Sequence, residues 1–403
     1  MKKNIELRSA AILISLGVSL ITSQTVNAQA PTAPLIVEKK IFDLPTLVTL
    51  GGQTLKNVKV GWQAAGTLNT DRSNAILITH FFSGNSHAFG KYKAEDIAAG
   101  YWDGLIGPGK AIDTNRFYVI SSDTLVNLNT GISSVTTTGP ASINPETGKP
   151  YGMAFPVVGI GDFVNVQKAL VEGMGITKLH TVMGASMGAM QAYDWAARYP
   201  SMVDRIIPVI GSAEASPWLI AWLDAWAAPI RLDPKWNGGD YYGKEAPNAG
   251  LADSLKLVSL HANHWEWAQK TFGRSHAEGG KDPSTDVANR YRIETFLATA
   301  GAARAKVSDA NHFLYLVKAN QTFAPGGAQS LEEAAKKIKA RTLLLYAPGD
   351  QVFPAEWMKA TEAALKANGT TVESAEIPGQ NGHLNGVIGM APMGAKITEF
   401  LNR

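Results

Sequence analysis

The residue whose setting most invites chemistry is Ser186, in Gly184-Ala185-Ser186-Met187-Gly188. In this G-x-S-x-G pattern two glycines let backbone pass close by while the hydroxyl is held out of a sharp corner. A serine hydroxyl is a weak nucleophile until a base takes its proton, and the base needs a carboxylate to hold it in the correct tautomer. The chain offers both, acid first, in Pro348-Gly349-Asp350-Gln351 and Gly379-Gln380-Asn381-Gly382-His383. Ser186, Asp350 and His383 are thus the expected nucleophile, acid and base. Of the other histidines, His80 and His87 precede the serine, His180 lies in the strand leading to it, and the rest fall between residues 261 and 312.

Such a corner needs a strand before it and a helix behind it. Thr181-Val182-Met183 reads as a buried strand, and residues 187–198 are compatible with helix up to the Tyr199-Pro200 break. A helix starting at Met187 turns backbone N–H groups toward the serine, so the Met187 N–H is one expected oxyanion donor. The apolar run at residues 74–80 ends in Phe81-Phe82-Ser83-Gly84. That loop is expected to supply the second donor, from the backbone of Phe82. Asp350 and His383 follow apolar runs at residues 340–347 and 371–377, with room between them for one helix, residues 355–367. Strands alternating with helices imply a mostly parallel sheet flanked by helices, with its site at the carboxyl ends of the strands.

The pattern changes between residues 213 and 335, which carry helical spacing and no convincing strand. This stretch reads as a helical cap or lid inserted into the sheet domain. The expected division is a leader over 1–28, a first core segment over 35–212, the cap over 213–335 and a second core segment over 336–403. Trp218, Trp222 and Trp226 recur every four residues, the packing face of a cap helix. Trp222, Trp226, Phe81 and Leu384 are candidates for the substrate pocket. His261 and His264 stand three apart on a helical pattern but lack a third ligand in phase, so no metal is expected and no cofactor is called for. A long stretch from 123 to 151, rich in Asn, Thr, Ser, Gly and Pro, reads as an ordered excursion over the surface.

The chain has 403 residues, 45% hydrophobic and 18% charged, enough to bury a large core. Lys2 and Lys3 precede a largely apolar run from Ser9 to Thr22, and small residues follow, the pattern of a secretory signal peptide cleaved after Ala28 or Ala30. At roughly 14 residues that run is too short to anchor in a membrane, which needs about 20. The net charge is +3, and a leader with Lys2, Lys3 and Arg8 against Glu6 accounts for two of these, leaving +1. No nucleic-acid partner is implied. The chain has no cysteine, which excludes disulfides and a thiol nucleophile. The mature protein is expected in the periplasm or outside the cell; a homodimer is compatible with the sequence.

Several stretches together resemble the homoserine O-acetyltransferase family of the α/β-hydrolase superfamily. They are Gly66-Thr67-Leu68-Asn69, Gly84-Asn85-Ser86-His87-Ala88, residues 101–110, Ser142-Ile143-Asn144-Pro145, Gly148-Lys149-Pro150-Tyr151-Gly152 and residues 185–192. The resemblance implies an α/β-hydrolase fold with a helical cap. It also implies that Ser186, Asp350 and His383 match the family's triad and that Phe82 matches its first-loop oxyanion donor. Two positions depart from the family pattern. Leu384 follows His383 where the family carries an aspartate that would hold the substrate ammonium. Ala227 stands where it carries an arginine facing the tunnel. A charged amino acid cannot shed its water into such a pocket without partners, because an unpaired buried charge costs several kcal/mol.

These readings make homoserine a poor substrate and lead to the expectation of an exported serine hydrolase cleaving a small ester, with a short acyl chain implied by the family alone. One alternative passes the acyl group from Ser186 to an alcohol instead of water, an O-acyltransferase. Another is a binding protein on a hydrolase scaffold without catalysis.

Overall fold

The computed structural model describes residues 33–277 and 279–403. The expected leader lies outside the described residues. Eight strands form one sheet: β1 (Lys40–Val48), β2 (Thr54–Ala65), β3 (Ala75–Thr79), β4 (Tyr118–Ser122), β5 (Leu179–Ala185), β6 (Val203–Val209), β7 (Arg341–Tyr346) and β8 (Val372–Glu376), in the spatial order β1-β2-β4-β3-β5-β6-β7-β8. β2 runs antiparallel to β1 and β4, and every other neighbouring pair is parallel. β1 escapes a pattern search because Pro45 interrupts it. The ladder steps from Leu44 opposite Val58 to Thr46 opposite Lys56, and an edge strand tolerates the missing N–H.

The central strands are apolar on both faces because both are covered. Leu77, Val182, Ile206 and Leu344 point into one core, shared with α1 (Ile160–Gly173) and α2 (Met187–Arg198). Ile76, Ile78, Met183, Ile207, Leu343 and Leu345 point into the other, with Trp102 and Phe400, the latter on the closing helix α10 (Gly394–Asn402). The period of two along each strand sorts the residues between the two cores. α2 is buried all round from Met187 to Ala197, so the nucleophile corner rests on one of the most enclosed helices of the protein.

Between β6 and β7 the chain forms α3 (Pro217–Leu232), α4 (Asn248–Ala262), α5 (Trp265–Phe272), α6 (Arg292–Ala305) and α7 (Ala310–Gln321). Ser216 starts α3 by accepting the Leu219 N–H at 3.2 Å, with Pro217 in the first turn where its missing N–H is harmless. Residues 255–272, one helical stretch in the sequence, divide at Asn263, whose extended backbone breaks α4 from α5. α8 (Leu331–Lys337), which the helical pattern groups with the cap, buries Ala334 and Ala335 and packs on α2 and on α9 (Ala355–Ala367). It therefore belongs to the layer around the sheet. Among the described residues, no helix is long and apolar enough to cross a membrane.

Candidate active site

β5 ends at Ala185 and α2 begins at Met187, leaving Ser186 alone at the corner with φ 58° and ψ −118°. A serine in that region carries about 1–3 kcal/mol of backbone strain, tolerated only where neighbours over-determine the conformation. They do so here: the Ser186 N–H donates to Val209 O at 2.9 Å, and Ser186 O accepts from Ala189 N at 2.8 Å and Met190 N at 3.2 Å. The flanking glycines are steric requirements. A Cβ on Gly184 would lie 2.0 Å from Thr79 Oγ1, and one on Gly188 would lie 2.2 Å from Thr79 O.

The loops after β7 and β8 bring the other two residues to the corner. His383 Nε2 lies 2.9 Å from Ser186 Oγ, and His383 Nδ1 lies 2.7 Å from Asp350 Oδ2. The partners dictate the tautomer: Nδ1–H donates to the carboxylate, and Nε2 accepts from the serine hydroxyl. The other carboxylate oxygen, Oδ1, accepts from Val352 N at 2.8 Å and Phe353 N at 2.9 Å, which fixes the carboxylate plane. All three side chains are buried. The Phe353 ring is stacked against the imidazole, 5.9 Å between centroids, which limits its rotation.

The Met187 N–H and the Phe82 N–H have no hydrogen-bond partner among the described residues. The loop carrying Phe82 is held by the excursion at 123–151. Asn127 Nδ2 donates to Gly84 O at 3.0 Å and Asn129 Nδ2 to Ser83 O at 3.0 Å. His80 Nδ1 donates to Phe81 O at 2.8 Å, which leaves Nε2 to accept from Asn127 Nδ2 at 3.3 Å. His312 of α7 is used in the same way, donating to Asn127 O at 2.8 Å and accepting from Ala141 N at 3.1 Å. Burial lowers the pKa of both imidazoles, which keeps them neutral and makes this pattern of donor and acceptor possible.

The expected pocket residues separate. Phe82 and Trp226 meet edge to face with centroids 5.7 Å apart, and Phe313 closes the group from α7. Trp222 lies one turn further out and stacks on His261 at 4.1 Å. Leu384 is partly buried in the tight turn next to His383. Phe81 turns to the other side of its loop, edge-on to Tyr101 at 5.1 Å and packed with the opposite core. It does not join the cap aromatics. Trp218 is 57% exposed, so only two of the three spaced tryptophans face inward. His264 does not pair with His261: its Nδ1 caps α5 through Glu266 N, while His261 Nε2 reaches Gln351 O at 3.0 Å.

Comparison with known proteins gives this arrangement a context. The alpha/beta hydrolase fold family matches residues 128–384. A homoserine O-acetyltransferase of Methanococcus vannielii is 38% identical over 370 residues, 91% of this chain and 73% of that protein. The chain belongs to the homoserine O-acetyltransferase-like α/β-hydrolases. The crystal structure of a homoserine O-acetyltransferase from Bacillus anthracis is 38% identical, with a TM-score of 0.87 over 92% of this chain and 98% of that one. The crystal structure of esterase E22 is 48% identical, with a TM-score of 0.86 over 91% of this chain and all of that one, 100%. The protein is an enzyme, a hydrolase-fold acyltransferase or esterase. Ester hydrolysis as the main reading is corrected by the curated relatives. Homoserine O-acetyltransferases match at 35% to 39% identity over about 90% of the chain, which favours acyl transfer to an alcohol.

Sequence reasoning did not single out Asn127, Asn129 or His312. Their types occur throughout a polar excursion, and only the fold shows that they grip the loop of Phe82. His261, one of the two histidines with ligand-like spacing in the sequence, reaches Gln351 O next to Asp350.

Proposed function

We propose that this protein is an O-acyltransferase that moves an acyl group through Ser186 to an alcohol acceptor. The observation that carries the reading is the continuous hydrogen-bond chain from Ser186 Oγ through His383 to Asp350, taken with relatives named as O-acetyltransferases over most of the chain. His383 Nε2 takes the Ser186 proton as Oγ attacks the donor carbonyl. The Met187 and Phe82 N–H groups hold the oxyanion, each worth on the order of 2.7–4 kcal/mol of barrier. The leaving group departs with the proton from His383, which leaves an acyl-serine. The acceptor hydroxyl then gives its proton to the same nitrogen and attacks the acyl carbon; the collapse returns the proton to Ser186 and releases the new ester. Asp350 keeps the imidazole in the required tautomer and stabilises its cation through both proton transfers.

The acceptor is an alcohol without homoserine's charge pair. Leu384 offers no carboxylate for an ammonium, and Ala227 no cation for a carboxylate. With a nitrophenyl acetate as donor, the wild type should form the acetate ester of an added alcohol, in rising proportion as the alcohol concentration rises. Ser186→Ala should form none. Free acetate as the sole product at high alcohol concentration would overturn the reading.

We also propose that residues 1–28 direct export, on the basic start and apolar run alone. A mature N-terminus at Gln29 or Pro31 in a periplasmic or culture fraction supports this. An intact Met1 in the cytoplasmic fraction overturns it.

A further inference from the structure

The loop that carries Phe82 leaves the sheet at Thr79, which pairs with Ser122 of β4. A loop fixed at that end alone could pivot, and the Phe82 N–H with it. Ser86, four residues past Phe82, is wholly buried and supplies the second fixed point. Its N–H donates to Asp123 Oδ1 at 2.7 Å, and its hydroxyl accepts from Lys39 Nζ. Asp123 is the first residue after β4, and its own N–H donates to Gly61 O of β2 at 2.7 Å, so the carboxylate rides on the sheet. Its Oδ2 accepts from Lys39 Nζ at 2.7 Å and from Thr136 N at 3.0 Å, which leaves neither oxygen idle.

Stability alone does not account for this cluster. The side chains of Lys39 and Asp123 are 16% and 0% exposed, and a buried ion pair holds a fold no better than apolar residues of the same size. Burial lowers the Lys39 pKa against the attraction of Asp123, so the lysine pays in desolvation for its place. β2 also gives way to the pair: a Cβ on Gly61 would lie 2.3 Å from Lys39 Cε and 2.5 Å from Asp123 Oδ2. A glycine inside a strand weakens it and marks such a close approach. What the ion pair adds over an apolar contact is a set of directed hydrogen bonds, and these end on the loop of Phe82. Asn127 and Asn129, a few residues on from Asp123, hold Gly84 O and Ser83 O of the same loop.

We infer that Lys39 and Asp123 are positioning residues for the oxyanion hole: by gripping Ser86 through its N–H and its hydroxyl, they set where the Phe82 N–H stands. Neither touches the reacting atoms. The inference rests on acylation of Ser186, whichever acceptor clears the acyl group.

The test uses stopped-flow nitrophenol release from a nitrophenyl acetate by the wild type, Lys39→Met, Asp123→Asn and Ser86→Ala. The size of the burst counts active sites, and its concentration dependence gives the acylation rate constant and the dissociation constant of the ester. A trifluoromethyl ketone is the second probe, because its carbonyl takes Ser186 Oγ, the serine proton passes to His383, and the oxyanion formed needs the same two donors. Lys39→Met and Asp123→Asn should lower the acylation rate per active site by about tenfold or more, with ester binding held within about twofold and ketone affinity falling by the same factor as the rate. Ser86→Ala leaves the carboxylate paired with Lys39 and should show the same pattern at about threefold. A purely structural pair would shrink the burst and leave the rate per site as it was, and that result overturns the inference. So does a lower rate with unchanged ketone affinity, or a loss confined to ester binding. Should neither Lys39→Met nor Asp123→Asn yield active sites, Ser86→Ala decides, and a wild-type rate and ketone affinity there overturn it. A wild type that acetylates no serine removes the acyl-enzyme reading, and this inference falls with it.

Discussion

Replacing Asp350 by asparagine tests the relay through its geometry. The carboxylate has two separate tasks, with Oδ1 taking the N–H groups of Val352 and Phe353 and Oδ2 facing His383 Nδ1. An asparagine must keep its carbonyl oxygen on the two backbone donors, since an amide NH2 there would face two N–H groups. Its NH2 is then directed at His383 and donates to Nδ1, which forces the imidazole proton onto Nε2. That nitrogen can no longer accept from Ser186. The same tautomer error in a Ser-His-Asp protease lowers kcat by about 10⁴, which is roughly 5.5 kcal/mol at about 1.36 kcal/mol per decade. Stability should change by only about 1 kcal/mol, because both cap hydrogen bonds survive. Stopped-flow release of nitrophenol reports Ser186 acylation, and thermal unfolding reports the fold. Acylation within tenfold of wild type, at unchanged stability, would refute the argument that Asp350 sets the tautomer. Asp350→Ala should be worse for the fold, as it strands two buried N–H groups at about 1–3 kcal/mol each.

The loop of Phe82 should be equally open to test. Asn127→Leu removes the donor to Gly84 O, and kcat should fall by about ten- to a hundredfold as the oxyanion donor loosens, read from steady-state nitrophenol release. Loss confined to KM would count against that role. Leu384→Asp places a carboxylate beside His383 and should raise the use of an amino alcohol as acceptor relative to n-propanol, measured by ester formation in competition. An unchanged preference would show that position 384 does not meet the acceptor. Finally, His261 binds its proton near pH 4 when folded and near 6.5 when unfolded, so the unfolded chain holds more protons between those values. Its contribution is therefore present above pH 6.5 and lost as pH falls toward 4, by up to about 3 kcal/mol. Denaturant unfolding of wild type and His261→Phe across that range should show the shallower slope in the variant; equal slopes would contradict it.

The legible part of this protein was the part written in local chemistry. Gly184 and Gly188 are needed because Thr79 passes within reach of any side chain there, and such a need leaves a motif. Asp350 and His383 each follow a strand, and a parallel sheet returns both loops to the edge that holds Ser186. β1 was not legible, because Pro45 breaks its pattern and only its place at the sheet edge permits it. Neither were Asn127, Asn129 and the pair Trp226–His261. Trp226 and His261 are separated along the chain and meet only when α3 and α4 pack over the loop of Phe82, and spacing carries no trace of such a meeting. The acceptor is not legible in the sequence for a related reason. The loss of charge at Leu384 and Ala227 argues against homoserine, but it does not by itself argue for water.

The central claim is a covalent acyl group on Ser186 that an alcohol removes. Rapid quenching after mixing with a nitrophenyl acetate, followed by mass spectrometry of the peptide that carries residue 186, measures it directly. The account predicts one acetyl group on Ser186, discharged on adding an alcohol with matching appearance of the alcohol's acetate. An acyl group found on another residue, or one that leaves only as free acetate however much alcohol is present, would contradict it.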